Sequence, residues 1–340
     1  MITERFTHRE IEKAAALLRE GQIVGMPTET VYGLGGNALD PEAVKRIFAA
    51  KGRPADNPLI VHIADFKDWA PLVKEIPPLA KALAERFWPG PLTIILPKSH
   101  RIPKETSGGL DTVGVRMPAH PMAQDLIRAA GIPIAAPSAN RSGSPSPTCA
   151  RHVMQDLDGK IPGVLDGGFC LCGIESTVVA LDDAKTVRVL RPGFVTPKQL
   201  SEVAETVIVD PAVLAELAPD QAAPSPGMKY KHYAPNAAVI LVKGSSDAVL
   251  SYIASQYQEG DVALVFDRDL PAYAEQNIKA VSYGDSDEAR GAQIFSQLRS
   301  LDQMGFQRIL IQAPRTDGVG LAVYNRLIRA AGYDVRDTDE

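Results

Sequence analysis

The chain has 340 residues, 45% of them apolar and 23% charged. That length suits two domains better than one core, and no compositional bias points to disorder. Its net charge of −5 hides an asymmetry: residues 1–205 carry 24 Lys/Arg against 23 Asp/Glu, and residues 206–340 carry 12 against 18, so the totals show no large basic field for nucleic acid.

No apolar run approaches the ~20 residues that span a bilayer. Residues 1–13 are charged and lack the apolar stretch of a secretory signal. A soluble, cytoplasmic protein without a membrane partner is expected. Cys149, Cys170 and Cys172 make an odd count, which argues against a disulfide framework. Cys170-Leu171-Cys172 lacks the spacing of a zinc site, so reduced thiols and no protein-held metal are expected.

Thr7-His8-Arg9-Glu10 reads as a capping box, followed by Ile11, Ala14, Ala15 and Leu18 at helical spacing, with Gly21 as the stop. Residues 23–26 read as a buried strand entering a loop over 27–36. Its glycine cluster, Gly33-Leu34-Gly35-Gly36, reads first as a tight turn. Asp40-Pro41-Glu42 opens a helix that ends near Lys51. Strands are expected over 59–63, 92–96, 113–116, 132–136, 177–181 and 187–190, with helices over 78–87 and 122–130. The first region, 1–205, is therefore mixed α/β. A Pro-rich connecting segment, 206–236, contains an aromatic and basic cluster around Tyr230 and His232. From 237 to 340, short apolar strands alternate with helices, which predicts a smaller parallel, Rossmann-like α/β domain.

Neither G-x-x-x-x-G-K-[ST] nor G-x-G-x-x-G is present, so the standard phosphate loops are missing. Lys51-Gly52-Arg53-Pro54 sets two cations on either side of a glycine. They either converge on an anion or simply answer the dipole of their own helix. Asn57 follows, just before a buried strand. Ser138 and Asn140 sit at a strand end, where α/β sheets bind ligands, and offer hydroxyl and amide groups to phosphate or ribose. Ser146 continues that polar surface. Thr112 and Arg116 share one face of a strand; Arg116 suits a carboxylate or phosphate, or is an edge arginine facing water. His62, between Val61 and Ile63, reads as a core or edge residue.

Taken in order, these segments resemble a known family. They are Pro27-Thr28-Glu29-Thr30-Val31-Tyr32-Gly33-Leu34, Lys51-Gly52-Arg53-Pro54 with Asn57-Pro58-Leu59, Trp88-Pro89-Gly90-Pro91-Leu92-Thr93, Val115-Arg116-Met117-Pro118, Ala136-Pro137-Ser138-Ala139-Asn140, Glu175-Ser176-Thr177 and Leu190-Arg191-Pro192-Gly193. Residues 225–230 and 320–326 extend the match over nearly the whole chain. The set resembles the YrdC-type threonylcarbamoyl-AMP synthase family in its long, two-domain form.

The resemblance implies a twisted, mixed sheet with a concave cavity in the first domain, and a connecting segment able to cover it. It implies synthesis of threonylcarbamoyl-AMP from L-threonine, bicarbonate and ATP, with pyrophosphate released. The product serves threonylcarbamoyladenosine formation next to the tRNA anticodon, through separate transfer proteins and with at most a weak tRNA contact. On that resemblance Lys51 and Arg53 are the catalytic pair. They bind ATP together with Asn57, Thr112, Ser138, Asn140, Ser146, Arg191 and Tyr230. Thr30, His62, Arg116, Ser176 and the backbone of Ala136 hold threonine. Mg²⁺ accompanies ATP without a dedicated protein cage. Two other readings are weaker. A noncatalytic RNA-binding factor needs a basic groove that the near-neutral first domain does not favour. A hydrogenase-maturation carbamoyltransferase needs zinc fingers that three cysteines do not build.

Overall fold

The computed structural model describes residues 2–55, 57–215 and 232–338. These fall into two compact units. The described residues of 1–142 and 146–229 form the first, and those of 143–145 and 230–340 the second.

The first unit runs β1 (Glu4–Phe6), α1 (Ile11–Arg19), β2 (Val24–Met26), β3 (Gly33–Asn37), α2 (Pro41–Lys51), β4 (Ile60–His62), α3 (Pro78–Phe87), β5 (Leu92–Pro97), β6 (Thr112–Arg116), α4 (Pro121–Ala130), β7 (Ile134–Ala135), α5 (Ala150–Leu157), β8 (Gly163–Leu165), β9 (Thr177–Leu181), β10 (Thr186–Arg191), α6 (Pro197–Leu200) and β11 (Thr206–Val209). Its sheet has the order β1-β8-β2-β3-β7-β4-β6-β5-β9-β10-β11, with parallel and antiparallel pairs mixed. Helix ends follow local chemistry. Asp40 caps α2 by accepting from Glu42 N at 2.9 Å, Pro41 occupies the first turn, and Gly52 closes the helix at φ 63°. One core gathers Ile47, Leu83, Ile94, Val115 and Val153; a second gathers Leu18, Met26, Leu126 and Ile134 beneath α1 and α4.

Three expectations change. The glycine cluster is not a turn: Gly33–Asn37 is β3, paired antiparallel with β2 and β7. Glycine is needed there for close packing, since a Cβ on Gly35 would lie 2.9 Å from Ile134 Cγ2 and one on Gly36 3.1 Å from Ile47 Cδ1. The strand expected over 132–136 is only two residues long, because Pro133 and Pro137 bring no N–H to the ladder. Thr206–Val209, expected to open the connecting segment, instead pair in parallel with β10. Among the described residues, no helix is long and apolar enough to cross a membrane.

The second unit contains β12 (Ala238–Lys243), α7 (Ser246–Gln256), β13 (Asp261–Val265), α8 (Leu270–Glu275), β14 (Ala280–Ser282), α9 (Asp287–Gln303), β15 (Arg308–Gln312), α10 (Gly320–Ala330) and β16 (Val335–Asp337). All its strand pairs are parallel, in the order β14-β13-β15-β12-β16. Val249 and Ile253 of α7 and Tyr273 of α8 pack on Val242, Ala263, Val265 and Leu310 of the sheet. This is the smaller parallel α/β unit expected from the strand–helix alternation.

Candidate active site

Strands β4, β6, β5 and β9 lie side by side, and their ends carry one group of side chains. Register sets His62 of β4 beside Arg116 of β6. Arg116 is buried. Its guanidinium donates to Thr30 Oγ1 at 2.9 Å and to the Gly90 carbonyl at 3.2 Å, and pairs with the buried Glu29 carboxylate at 2.6 Å. The other Glu29 oxygen accepts from Ala119 N. Thr28 Oγ1 lies 2.8 Å from Thr30 Oγ1 and donates to the Val31 carbonyl, which fixes the loop after β2. Ser176, just before β9, shares a 2.8 Å hydrogen bond with Thr93 of β5. Arg191 donates to both the hydroxyl and the carbonyl of Ser176.

His62 is 3% exposed, and its Nδ1 has no hydrogen-bond partner among the described residues. Burial, then the adjacent Arg116 charge, push its pKa down to about 3, so the ring is neutral at pH 7. The three cysteines are free and buried. Burial raises the Cys170 and Cys172 thiols, leaving them protonated and poor nucleophiles.

A second group forms where the C-terminal end of α2 meets the segment after β7. Lys51 is 4% exposed, and its ammonium donates to the Ser138 and Asn140 carbonyls. Ser142 N donates in turn to the Lys51 carbonyl. The same segment is laced to the loop after β2: Leu34 N donates to Pro137 O, Ala139 N to Tyr32 O and Tyr32 N to Pro147 O. Ala136, whose N–H donates to Ile60 O, begins it, and Ser146, which donates to Glu175, lies near its end. One stretch of chain thus joins the surroundings of Lys51 to those of Ser176.

The structure therefore brings together Thr30, His62 and Arg116, then Ser176 with Arg191, then Lys51 with Ser138 and Asn140. Thr112 starts β6, at the end away from Arg116. Asn57 is buried with neither amide atom hydrogen-bonded among the described residues. Arg53 follows Gly52 and is half-buried. Tyr230, and most of the segment proposed to cover the site, lie outside the described residues. Glu29, Thr93 and Glu175 are the additions that sequence reasoning passes over. An acidic residue isolated in the loop 27–36 is the available signal for Glu29.

The mixed sheet with clustered cations and hydroxyls at its strand ends falls in the YrdC class by its match to that family's model. Residues 16–193 match the Sua5–YciO–YrdC family model, which carries the description Telomere recombination. Residues 195–332 match the model for the threonylcarbamoyl-AMP synthase C-terminal domain. The chain belongs to this family, in its two-domain form, as the ordered motifs implied. It is 48% identical to the threonylcarbamoyl-AMP synthase of Pyrococcus abyssi, over 98% of this chain and 97% of that one. It is 45% identical to the Bacillus subtilis enzyme of the same name, over 95% and 93%. Among solved structures, P. abyssi Sua5 complexed with L-threonine aligns with a TM-score of 0.90 at 45% identity, over 99% of both chains.

Proposed function

We propose that the chain condenses L-threonine, bicarbonate and ATP into threonylcarbamoyl-AMP, releasing pyrophosphate, to supply the modification of adenosine next to the tRNA anticodon. The family and the name shared by its full-length relatives support the reaction. The observation that carries the site assignment is the buried Arg116, hydrogen-bonded to Thr30 and in register with the neutral His62.

In this reading Arg116 binds the threonine carboxylate, with Thr30, His62, Ser176 and the Ala136 backbone around the rest of the amino acid. A base works best with a pKa near the working pH. His62 lies far below that, so it orients threonine by hydrogen bonding and does not take its proton. The threonine amine displaces water from bicarbonate to form a carbamate, and a carbamate oxygen attacks the α-phosphorus. Lys51 and Arg53 hold the phosphates and stabilise charge as pyrophosphate leaves. Asn57, Ser138, Asn140, Ser146 and Arg191 complete the nucleotide half, and Thr112 and Tyr230 are assigned there from the family pattern. Mg²⁺ would neutralise triphosphate charge while bound to phosphate oxygens and water. Among the described residues, no three His, Cys, Asp or Glu side chains cluster to cage an ion. Residues 1–205, extended by β11, form the catalytic domain in this proposal. The rest of the connecting segment 206–236 covers it, and 237–340 form the C-terminal domain. The reaction takes place in the cytoplasm, and transfer proteins take the product to tRNA.

Pyrophosphate release from ATP should require both L-threonine and bicarbonate. Release that continues unchanged without threonine would sink the assignment. Lys51→Ala and Arg53→Ala should each lower turnover by about 10²-fold or more, with circular dichroism unchanged. Wild-type rates would remove the pair from the mechanism.

A further inference from the structure

The second unit carries a cleft at the one place in a parallel sheet where the chain leaves room for a ligand. From β12 the chain moves past β15 to β13; from β15 it moves past β12 to β16. Adjacent strands β12 and β15 thus send their connections toward opposite edges of the sheet. At such a switch point the loops beyond the strand C-termini diverge and open a crevice. Here the crevice has a volume of about 740 Å³, within the ~300–1,000 Å³ usual for small-molecule sites. Gly244, Ser245 and Ser246 line it after β12, Phe266 and Arg268 after β13, Asp285 to Asp287 after β14, and Gln312 at the end of β15 with Ala313 to Asp317 after it. Every lining residue belongs to the second unit.

The floor is polar and held in place. Gln312, 2% exposed, interrupts the apolar end of β15. Its amide nitrogen donates to Asp269 at 2.7 Å, and its oxygen accepts from Phe266 N at 3.1 Å. Ser246 donates to the same Asp269 carboxylate at 3.0 Å. On the wall, Arg290 is 6% exposed and lies 3.8 Å from the Phe266 ring centroid. Its terminal nitrogens donate to Asp287 and to the Asp285 carbonyl, while Nε has no hydrogen-bond partner among the described residues. A buried guanidinium with an unmet donor is costly unless a ligand meets it. The lining holds Lys243, Arg268, Arg290 and Arg315 against Asp285, Asp287 and Asp317, and Asp269 of the floor makes the two signs equal in number. The first turn of the eleven-residue α7 adds its partial positive charge at Ser246.

We propose that this crevice binds a hydroxyl-bearing phosphate of nucleoside monophosphate size. The phosphate is held by the Gly244–Ser246 backbone with Arg290 and Arg315, and the hydroxyls by Asp285 or Asp317. Carboxylates accept from a sugar diol, a contact that bare inorganic phosphate does not offer. The site takes no residue from the proposed reaction centre, and it stands whether or not that reaction is as assigned.

Hydrogen–deuterium exchange on the full-length chain tests it, with millimolar AMP as the probe and adenosine and inorganic phosphate as arms. AMP should slow exchange several-fold in peptides covering 244–249, 285–290 and 313–319. Adenosine should not, and phosphate should do so more weakly. Arg290→Gln should abolish the protection. Arg315→Glu, a change at an exposed rim position that leaves the fold in place, should weaken it several-fold. Protection around Lys51 and Ser138 reports nucleotide in the first unit and is read from separate peptides. The proposal is overturned if AMP leaves the three peptides unprotected, if adenosine protects them equally, or if Arg315→Glu exchanges like the parent.

Discussion

Arg116 is a cation buried against Glu29, and removing one partner of such a pair costs more than removing both. Arg116→Ala strands the Glu29 carboxylate and should destabilise the first unit by about 3–5 kcal/mol. Arg116→Met combined with Glu29→Gln should cost clearly less. Urea unfolding midpoints of the three proteins decide this, and equal losses in single and double variants would mean that the pair is not coupled. His62 makes a second prediction. Its folded pKa of about 3 lies below its unfolded value of about 6.5. In that window the unfolded chain binds a proton that the native one refuses, so stability is lost as pH falls from about 6.5 toward 3, by about 1.4 kcal/mol per unit. His62→Gln should remove that share of the pH dependence between pH 6 and 4. If its unfolding free energy falls with pH as steeply as the parent's, the ring does not carry the effect.

At the scale of elements, the chain just after β10 passes the start of β9 too closely for a side chain. A Cβ at Gly193 would lie 2.4 Å from Thr177 N and 2.9 Å from the Glu175 carbonyl. These are backbone atoms on either side of Ser176, so they cannot swing aside. Gly193→Ala should cost about 1–3 kcal/mol as overpacking does. Through the displaced Ser176 it should raise KM for threonine more than that for ATP. A variant with parent-like stability and kinetics would show that the strand shifts freely. The same contrast separates what is readable in the chain from what is not. The start and end of α2 are local: Asp40, Pro41 and Gly52 sit within one helix, and their chemistry is readable residue by residue. The role of Gly33–Gly36 is not readable, because it is set by Ile134 and Ile47, which reach β3 only in the folded sheet. Three-residue strands such as β1 and β8 have too short a period to stand out, and each is stabilised by the other. Lys51, Ser138 and Asn140 stand out in the chain only as separate segments; their hydrogen bonds exist only once β3 and β7 pair. Arg116 is legible as an anion binder, yet its internal partner, Glu29, lies on another strand's loop.

At the scale of the whole molecule, each unit has its own core, and both tryptophans, Trp69 and Trp88, belong to the first. Their ring centroids are 4.7 Å apart, and Trp88 Nε1 donates to Leu92 O at 2.7 Å. Tryptophan fluorescence therefore follows the first unit alone, whereas far-ultraviolet circular dichroism follows both. A ligand that binds only the native first unit stabilises it by about 2.7 kcal/mol at a hundred times its Kd. L-threonine should accordingly move the fluorescence transition in urea to higher concentration. Circular dichroism should resolve two steps, one moving with threonine and one staying in place. AMP, in contrast, should also move the second step if the crevice between β12 and β15 binds it. A single transition, coincident by both probes and shifted whole by threonine, would show that the units unfold as one cooperative body. Stability measured on the full chain would then report both cores together, and the effects of Arg116, His62 and Gly193 variants would have to be read against that larger cooperative unit.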